Sequence, residues 1–225
     1  MIDGPFRRIL PQATGWLITI YKRLGLTPNQ LTATGSMFGF AAAYAVATDY
    51  FLAALCLWWT GRLLDGTDGI YARATMQVSA FGGYLDILLD MTAYSVMILG
   101  FAYRFPELAA AWSVILCFYV LGITSALALG EIERQKGIGP TDNRSLRLAA
   151  GLAEGGETGL AYTVFLLFPA ALPLLTWIWI TVLALTIVMR TILAWRVLRP
   201  LATSSSASSS ESAGSKSPQI TRSAS

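Results

Sequence analysis

The sequence predicts an all-α, polytopic membrane protein with six transmembrane helices, preceded by an N-terminal amphipathic helix at the membrane surface. The 225 residues are 55% hydrophobic and 13% charged, with a mean hydropathy of +0.57, whereas soluble domains are about 25% charged. Several apolar runs approach the ~20 residues that a helix needs to cross a bilayer. Basic residues are concentrated in alternate joins between those runs.

The first predicted element is the interfacial helix in residues 16–26, which mixes apolar side chains with Lys22 and Arg23. Such a mixture suits a helix that lies on an anionic leaflet. Six spans follow, separated by short polar or proline-marked joins. Their expected bounds are Leu31–Thr48, Phe51–Gly69, Ser79–Ala102, Leu108–Leu129, a fifth span from after Arg147 to Phe168, and Ala171–Ile192. Residues 1–199 form one membrane domain, and the serine-rich composition of residues 200–225 predicts a disordered tail.

Basic residues set the expected orientation. With six spans, both termini and the joins 71–79 and 130–147 lie on the same side of the membrane. That side receives Arg7, Arg8, Lys22, Arg23, Arg73, Arg134, Lys136, Arg144, Arg147, Arg196 and Arg199. The other side receives Arg104. By the positive-inside rule the basic side is cytoplasmic. We therefore expect a multi-pass protein of the cell (inner) membrane, with both termini and the joins 71–79 and 130–147 facing the cytoplasm.

Carboxylates interrupt the second and third spans at Asp65, Asp68, Asp86 and Asp90. An aspartate at the centre of a membrane helix costs roughly 3 kcal/mol on insertion scales, so four of them need compensation. Each pair, at i, i+3 or i, i+4, lies on one face of its helix, and a short join makes the two helices antiparallel neighbours. A bound Mg²⁺ or Mn²⁺ is the natural compensation, because hard cations prefer carboxylate oxygens. Salt-bridged packing, with Arg62 or Arg73 as the cation, is the alternative.

Small residues surround these acids. They are Gly66, Gly69, Ala72, Gly82 and Gly83. Because glycine in a helix costs about 1 kcal/mol relative to alanine, the clustering indicates a ligand that approaches the backbone closely. Ordinary packing of small residues is the alternative interpretation.

The string Asp65-x2-Asp68-Gly69-x2-Ala72-Arg73-x8-Gly82-x3-Asp86-x3-Asp90 matches, without a gap, the signature of the CDP-alcohol phosphotransferases. The chain resembles this family, also called CDP-alcohol phosphatidyltransferases, over roughly residues 15–198. The resemblance implies six membrane helices behind an amphipathic helix. It also implies an enzyme of phospholipid biosynthesis that transfers a phosphatidyl group from CDP-diacylglycerol to an alcohol hydroxyl and releases CMP. The expected partners are the CDP-diacylglycerol donor, a small alcohol or polyol acceptor, membrane lipids and a second copy of the chain in a homodimer, with no nucleic acid.

The same resemblance implies a role for each motif residue. Two divalent cations, Mg²⁺ or Mn²⁺, would bind the donor pyrophosphate and the carboxylates of Asp65, Asp68 and Asp86. Asp90 would be the catalytic general base and would also belong to the metal residues, near the second cation. The expected donor-binding residues are Gly69, Ala72 and Gly82, which leave room for the nucleotide, Arg73, which contacts donor phosphate, and Asn29, which lines the same end.

A second polar cluster opens the fifth span. The stretch GLAEGGETG (151–159) places Glu154 and Glu157 at i, i+3 among four glycines. One hypothesis is that these glutamates line the acceptor pocket and hydrogen-bond a polyol, with Arg134 and Arg144 available for a phosphorylated acceptor. The alternative is that the glutamates pair with arginines of the preceding join, Arg147 among them, at the cytoplasmic edge.

Two other functions use intramembrane carboxylates. An intramembrane prenyltransferase also binds Mg²⁺ through aspartate-rich motifs, but its motifs lie in separate halves of a larger bundle. A membrane cation transporter would use the carboxylates as an ion path, but these acids cluster on two adjacent helices, and the sequence contains no evident inverted repeat. The chain has no histidine, which excludes histidine-based catalysis and histidine-ligated metals.

Overall fold

The structure, a computed structural model, describes residues 15–135 and 155–198, and all regular structure in these ranges is helical. The helices are α1 (Gly15–Arg23), α2 (Pro28–Ala47), α3 (Phe51–Ala74), α4 (Ala80–Arg104), α5 (Ala109–Gln135), α6 (Gly155–Leu167) and α7 (Leu172–Leu198). Single 3₁₀ turns at Pro106–Leu108 and Pro169–Ala171 precede α5 and α7. The all-α prediction is confirmed for the described residues.

Three of the described helices, with their adjoining 3₁₀ turns, are long and apolar enough to cross a bilayer. They cover Ala80–Arg104, Pro106–Ile132 and Pro169–Trp195. Helix α3 carries charged residues near its middle and end, α2 begins with the polar stretch Pro28-Asn29-Gln30 and continues with many small residues, and the described α6 has 13 residues. The six-span count therefore stays a prediction, and the start of the fifth span lies outside the described residues.

Two caps determine where α2 and α4 begin. The Thr27 side chain accepts a hydrogen bond from the Gln30 amide at 3.3 Å, and the Gln30 side chain accepts one from the Thr27 amide at 2.9 Å. This capping box, followed by Pro28, starts α2 three residues before the predicted span. The Ser79 hydroxyl accepts from the Gly82 amide at 2.9 Å and caps α4. Both helix starts lie at the same end of the bundle as the four motif aspartates.

Helix α2 packs closely against both α3 and α4 at glycines. A methyl group on Gly61 would lie 2.7 Å from the Gly35 carbonyl oxygen, and one on Gly100 would lie 2.5 Å from the Ala43 carbonyl oxygen. Real Cβ atoms essentially never approach so closely, so these backbones meet only because the side chains are absent. The two contacts bring α3 and α4 against a common partner, and the aspartates of both helices come together beside α2.

Hydroxyl groups link the outer helices to this core. The Trp179 indole donates to the Tyr119 hydroxyl at 3.2 Å, which shares a 2.9 Å hydrogen bond with the Tyr162 hydroxyl. Tyr162 in turn donates to the Tyr94 carbonyl oxygen at 2.8 Å. Helices α7, α5, α6 and α4 are thus joined by one chain of hydrogen bonds, so polar atoms in an apolar interior have partners.

Candidate metal and donor site

Three of the predicted acids form a compact group. One carboxylate oxygen from each of Asp65, Asp68 and Asp86 lies within 4.8 Å of the other two. Asp65 and Asp68 come from the last turns of α3, and Asp86 comes from the second turn of α4. Three like charges this close repel one another, and an all-oxygen donor set is the chemistry that Mg²⁺ and Mn²⁺ prefer. The residues present therefore fit a divalent cation.

Asp68 is the most buried of the three, with 6% of its surface exposed. Its carboxylate accepts a hydrogen bond from the Thr32 hydroxyl, which also lies 3.1 Å from the Pro28 carbonyl oxygen. Thr32 therefore orients Asp68 from the first turns of α2. Sequence reasoning missed this residue, although a hydroxyl one turn after the capping box is a signal that could have found it.

Asp90 takes a different partner. Its carboxylate binds Nη1 of Arg62 at 2.5 Å, and the same nitrogen lies 3.2 Å from the Asp65 carboxylate and 3.2 Å from the Tyr94 hydroxyl. Within the described residues, the three-carboxylate group does not include Asp90. The Arg62–Asp65 ion pair of the salt-bridge alternative is thus present, and Arg62 also pairs with Asp90, whereas neither Asp68 nor Asp86 forms an ion pair among the described residues. The role of Asp90 as a metal ligand stays a prediction.

The predicted donor-binding residues line one cavity of about 220 Å³ beside the acids. They are Asn29, Gly69, Ala72, Arg73 and Gly82, and the cavity also includes Asp68 and Asp86. A methyl group on Gly82 would lie 3.0 Å from the Ser79 hydroxyl and 3.1 Å from the Asn29 side-chain oxygen. A larger residue at position 82 would therefore push on the Ser79 and Asn29 side chains where α2 and α4 meet, and glycine leaves that space to the cavity.

The residues predicted for the acceptor pocket are only partly described. Arg134 makes a two-pronged ion pair with Glu131, with both nitrogen–oxygen distances at 2.8 Å. Glu157 lies in the first turn of α6. Glu154 and Arg144 lie outside the described residues, as does Arg147, so their predicted roles stay predictions.

A second cavity, of about 230 Å³, lies among α4, α5, α6 and α7. Met91 and Tyr94 line it on the α4 side, and Gly155 and Thr158 line it on the α6 side. Arg190 of α7 also lines it, 7% exposed, and donates to the Gly122 carbonyl oxygen at 2.7 Å and the Ser125 hydroxyl at 3.0 Å. Sequence reasoning missed both this cavity and Arg190, which is a buried cation within the last predicted span.

Comparison with known proteins identifies the family. A family model described as CDP-alcohol phosphatidyltransferase matches residues 25–188. The chain belongs to this family. The inner membrane protein YnjF of Escherichia coli (strain K12) is 36% identical to it over 162 residues, which are 68% of this chain and 75% of that protein. Phosphatidylinositol phosphate synthase of Mycobacterium marinum is 25% identical over 203 residues, 87% of this chain and 86% of that protein.

Solved structures share the fold of this CDP-alcohol phosphatidyltransferase. Mycobacterium tuberculosis phosphatidylinositol phosphate synthase with CDP-DAG bound has a TM-score of 0.60 at 19% identity, and the match covers 82% of this chain and 94% of that one. The structure of the same enzyme in complex with manganese and citrate also has a TM-score of 0.60, at 22% identity. The match covers 81% of this chain and 88% of that one.

The family confirms the reaction class and rejects both alternatives. A CDP-alcohol phosphatidyltransferase is a transferase of phospholipid biosynthesis, and this one is a membrane protein by its three long apolar helices and its inner-membrane relative. The transporter and prenyltransferase hypotheses are therefore set aside.

Proposed function

We propose that this enzyme transfers the phosphatidyl group of CDP-diacylglycerol to a hydroxyl of a small alcohol or polyol and releases CMP. The observation that carries the proposal is the position of the three-carboxylate group, because Asp68 and Asp86 belong both to that group and to the wall of the cavity that holds the predicted donor residues. A pyrophosphate in that cavity would lie against the carboxylates and against Arg73.

The cofactors we infer are two divalent cations, Mg²⁺ or Mn²⁺, held by Asp65, Asp68 and Asp86. Support comes from the oxygen-only donor set and from the related enzyme whose structure is in complex with manganese. When bound, such cations neutralise charge on the pyrophosphate and on the departing CMP. Thr32 and the end of α3 would keep Asp68 aimed at them.

Three residues would bind the donor directly. The Arg73 guanidinium suits a phosphate oxygen pair, because its planar fork matches two acceptors at once. Gly82 gives the nucleotide access to the backbone of α4, and the Asn29 amide beside it offers both a donor and an acceptor to a base or sugar.

Asp90 would be the general base. It lies one helical turn, about 6 Å, beyond Asp86 along α4, and the next residue, Met91, lines the second cavity. A hydroxyl presented from that cavity would lose its proton to the Asp90 carboxylate as it attacks phosphorus. A positioned base of this kind is worth typically 10²–10⁴-fold in rate.

The second cavity is our candidate for the acceptor pocket. Its buried Arg190 favours an acceptor that carries a phosphate, since a guanidinium binds phosphate strongly in a water-poor site. The relative from Mycobacterium marinum is named a phosphatidylinositol phosphate synthase, so an inositol phosphate is our first candidate. Gly155 and Thr158 adjoin Glu154 and Glu157 in sequence, and these glutamates, together with Arg134 and Arg144, stay candidate acceptor residues.

We also propose a membrane arrangement. Helices α2–α7 would be six spans of one domain, residues 1–199, with α1 lying on the cytoplasmic surface as the interfacial helix and residues 200–225 as a disordered tail. The basic residues support the cytoplasmic position of both termini and of the site. A homodimer in the cell membrane is the expected assembly.

The experiment is an acceptor panel. Purified protein receives CDP-diacylglycerol, Mn²⁺ or Mg²⁺, and in turn an inositol phosphate, myo-inositol, glycerol 3-phosphate or serine, and we measure CMP release together with the mass of the lipid product. Asp68→Asn should abolish release. Asp49→Asn is the matched control, since Asp49 pairs with Arg104 in the join at the other end of α3. Absence of CMP release with every acceptor would contradict the proposal.

A further inference from the structure

The Tyr94 hydroxyl lies between Arg62 of α3 and the start of α6. On the first side it accepts a hydrogen bond from Nη1 of Arg62 at 3.2 Å. On the other side, a methyl group on Gly155 would lie 2.8 Å from the hydroxyl oxygen, the one described atom within 4 Å of it. Tyr94 and Gly155 both line the second cavity. A polar atom of α4 therefore stands at the wall of the proposed acceptor pocket.

Packing fixes the ring that carries this hydroxyl. Tyr94 is buried, and its ring centre lies 5.9 Å from that of Trp58. The guanidinium carbon of Arg62 lies 5.2 Å from the same ring, a distance that allows a cation–π interaction. The Tyr94 carbonyl oxygen also accepts a hydrogen bond from the Tyr162 hydroxyl at 2.8 Å. The hydroxyl is thus preorganised, and a ligand that binds it would lose little affinity to side-chain ordering.

The contact with Arg62 determines what this hydroxyl can do. A guanidinium has N–H donors and no acceptor, so the tyrosine oxygen can only accept in this contact, wherever the carboxylate partners of Arg62 lie. Within residues 15–135 and 155–198, no other hydrogen bond involves the Tyr94 hydroxyl. Its own proton is therefore available, and leaving a buried donor without an acceptor is costly. An oxygen of a molecule in the second cavity would satisfy it.

The attacking hydroxyl of the acceptor is not the right partner for this proton. That hydroxyl gives its proton to the general base and its lone pair to phosphorus, so a hydrogen bond donated to it would weaken it as a nucleophile. A second oxygen of the acceptor suits the contact better. Tyr94 follows Asp90 by one helical turn, about 6 Å along α4, and both residues lie on one face of the helix. A hydroxyl beside the attacking one would therefore come to Tyr94.

We infer that Tyr94 is a specificity-determining residue that donates a hydrogen bond to a second hydroxyl of the acceptor, beside the one that attacks. The site thereby selects a polyol over an alcohol with a single hydroxyl. This inference rests on the proposed function, because it takes the second cavity as the acceptor pocket. It complements Arg190, whose charge favours a phosphate on the acceptor but does not distinguish a polyol from a simple alcohol.

Acceptor binding tests the inference without the reaction. Calorimetry measures the affinities of the wild type and Tyr94→Phe for an inositol phosphate and for each of its monodeoxy derivatives, with Mn²⁺ and CMP in place of CDP-diacylglycerol. Tyr94→Phe removes one oxygen and keeps the ring, so it should bind the parent compound about fivefold more weakly, the size of one neutral hydrogen bond. One monodeoxy derivative should show the same loss with the wild type and no further loss with Tyr94→Phe. An equal loss from Tyr94→Phe for every compound would overturn the inference.

Gly155 and Gly156 supply a matched pair of variants. Gly155→Ala places its methyl group 2.8 Å from the Tyr94 hydroxyl oxygen, whereas no described atom lies within 4 Å of the methyl group of Gly156→Ala. Gly155→Ala should raise the acceptor KM about threefold or more and leave the donor KM within about twofold, and Gly156→Ala should change neither. In the Tyr94→Phe background, Gly155→Ala should cause no further loss, because contacting residues are coupled. Equal losses in both backgrounds would contradict the inference.

The outcomes separate this inference from the proposed function. A wild type that shows the expected binding pattern but releases no CMP contradicts the proposed function alone. A wild type that releases CMP but binds the parent compound and every monodeoxy derivative equally overturns the inference alone, and this result needs no variant to fold. If glycerol 3-phosphate is the preferred acceptor, 3-hydroxypropyl phosphate is the matching probe without the second hydroxyl. A preference for serine, which has a single hydroxyl, would likewise refute the inference.

Discussion

The close approach of α2 and α4 predicts a large effect from one added methyl group. In Gly100→Ala, the new Cβ would lie 2.5 Å from the Ala43 carbonyl oxygen and 3.1 Å from the Ala43 Cα. Both neighbours are backbone atoms, so relief requires the helices to separate. Reaching even a 3.0 Å contact, which is still tight, needs a movement of about 0.5 Å, the difference between the two distances.

The expected cost follows from two opposing effects. Overpacking a well-packed interface costs typically 1–3 kcal/mol, and alanine recovers about 1 kcal/mol of helix propensity over glycine. Because the atoms that the methyl group meets are all backbone atoms, the overpacking cost should lie in the upper part of its range, at about 2–3 kcal/mol. The net loss is then about 1–2 kcal/mol, which corresponds to a Tm lower by roughly 2–8 °C for a chain of this size. Gly100 lies ten residues beyond Asp90, about 15 Å along α4, so activity well below the melting temperature should persist.

The assay is thermal unfolding in one detergent, followed by tryptophan fluorescence. A thiol-reactive dye is unsuitable, because Cys56 and Cys117 are both exposed before unfolding. Gly130→Ala is the matched control: it lies on a helix, and no described atom comes within 4 Å of its added methyl group. A Gly100→Ala protein that melts at or above the wild-type temperature, while Gly130→Ala behaves as expected, would refute the close-packing argument.

Three further predictions concern the site. Asp90→Asn should leave the affinities for Mn²⁺ and CDP-diacylglycerol within about threefold of wild type but lower kcat by about 10²-fold or more. Calorimetry measures the two affinities and CMP release measures kcat. Full activity in this variant would show that Asp90 is not the base. Thr32→Val removes the hydrogen bond from the Thr32 hydroxyl to the Asp68 carboxylate and should lower kcat/KM about tenfold, since a hydrogen bond to a charged group is worth about 1.5–3 kcal/mol. Thr32→Ser keeps a hydroxyl and should keep most of the wild-type kcat/KM. Arg190→Gln should raise the KM for a phosphorylated acceptor about tenfold and leave the KM for the donor unchanged. An unchanged acceptor KM would mean that the acceptor does not bind in the second cavity.

Local spacing explains what the sequence could predict. Asp65 and Asp68 lie one turn apart on α3, and a short join brings Asp86 of α4 to the same level, so the three-carboxylate group needs only helical geometry and one hairpin. The motif residues of the donor cavity were predictable for the same reason, because they flank that hairpin, whereas its α2 wall, with Thr32, depends on how α2 packs. Hydropathy was less informative about the end of α3. The predicted span ends at Gly69, but the helix continues to Ala74, because its hydrogen-bonded backbone extends past the last residues of the apolar run.

Long-range geometry explains what the sequence could not predict. The pairing of Arg62 with Asp90 depends on how α3 and α4 are rotated against each other, and this rotation is set by backbone contacts through α2 at Gly61 and Gly100. The second cavity has walls from four helices, and no single segment carries its pattern. In the sequence, Arg190 is one charge within an apolar run, and only the fold brings it against the Gly122 carbonyl oxygen.

The hydrogen-bonded chain of Trp179, Tyr119 and Tyr162 has a consequence for how the outer helices find their alignment. Apolar surfaces in a bilayer gain little from one sliding position over another, because lipid tails replace lost side-chain contacts almost equally well. The hydrogen-bonded chain removes that degeneracy. If α7 shifted along its axis by one residue, the indole N–H of Trp179 would lose its hydrogen-bond partner. If α5 shifted, the Tyr119 hydroxyl would move away from both Trp179 and Tyr162. Three polar atoms thus set the registration of the bundle, while most of its lipid-facing exterior stays free to vary.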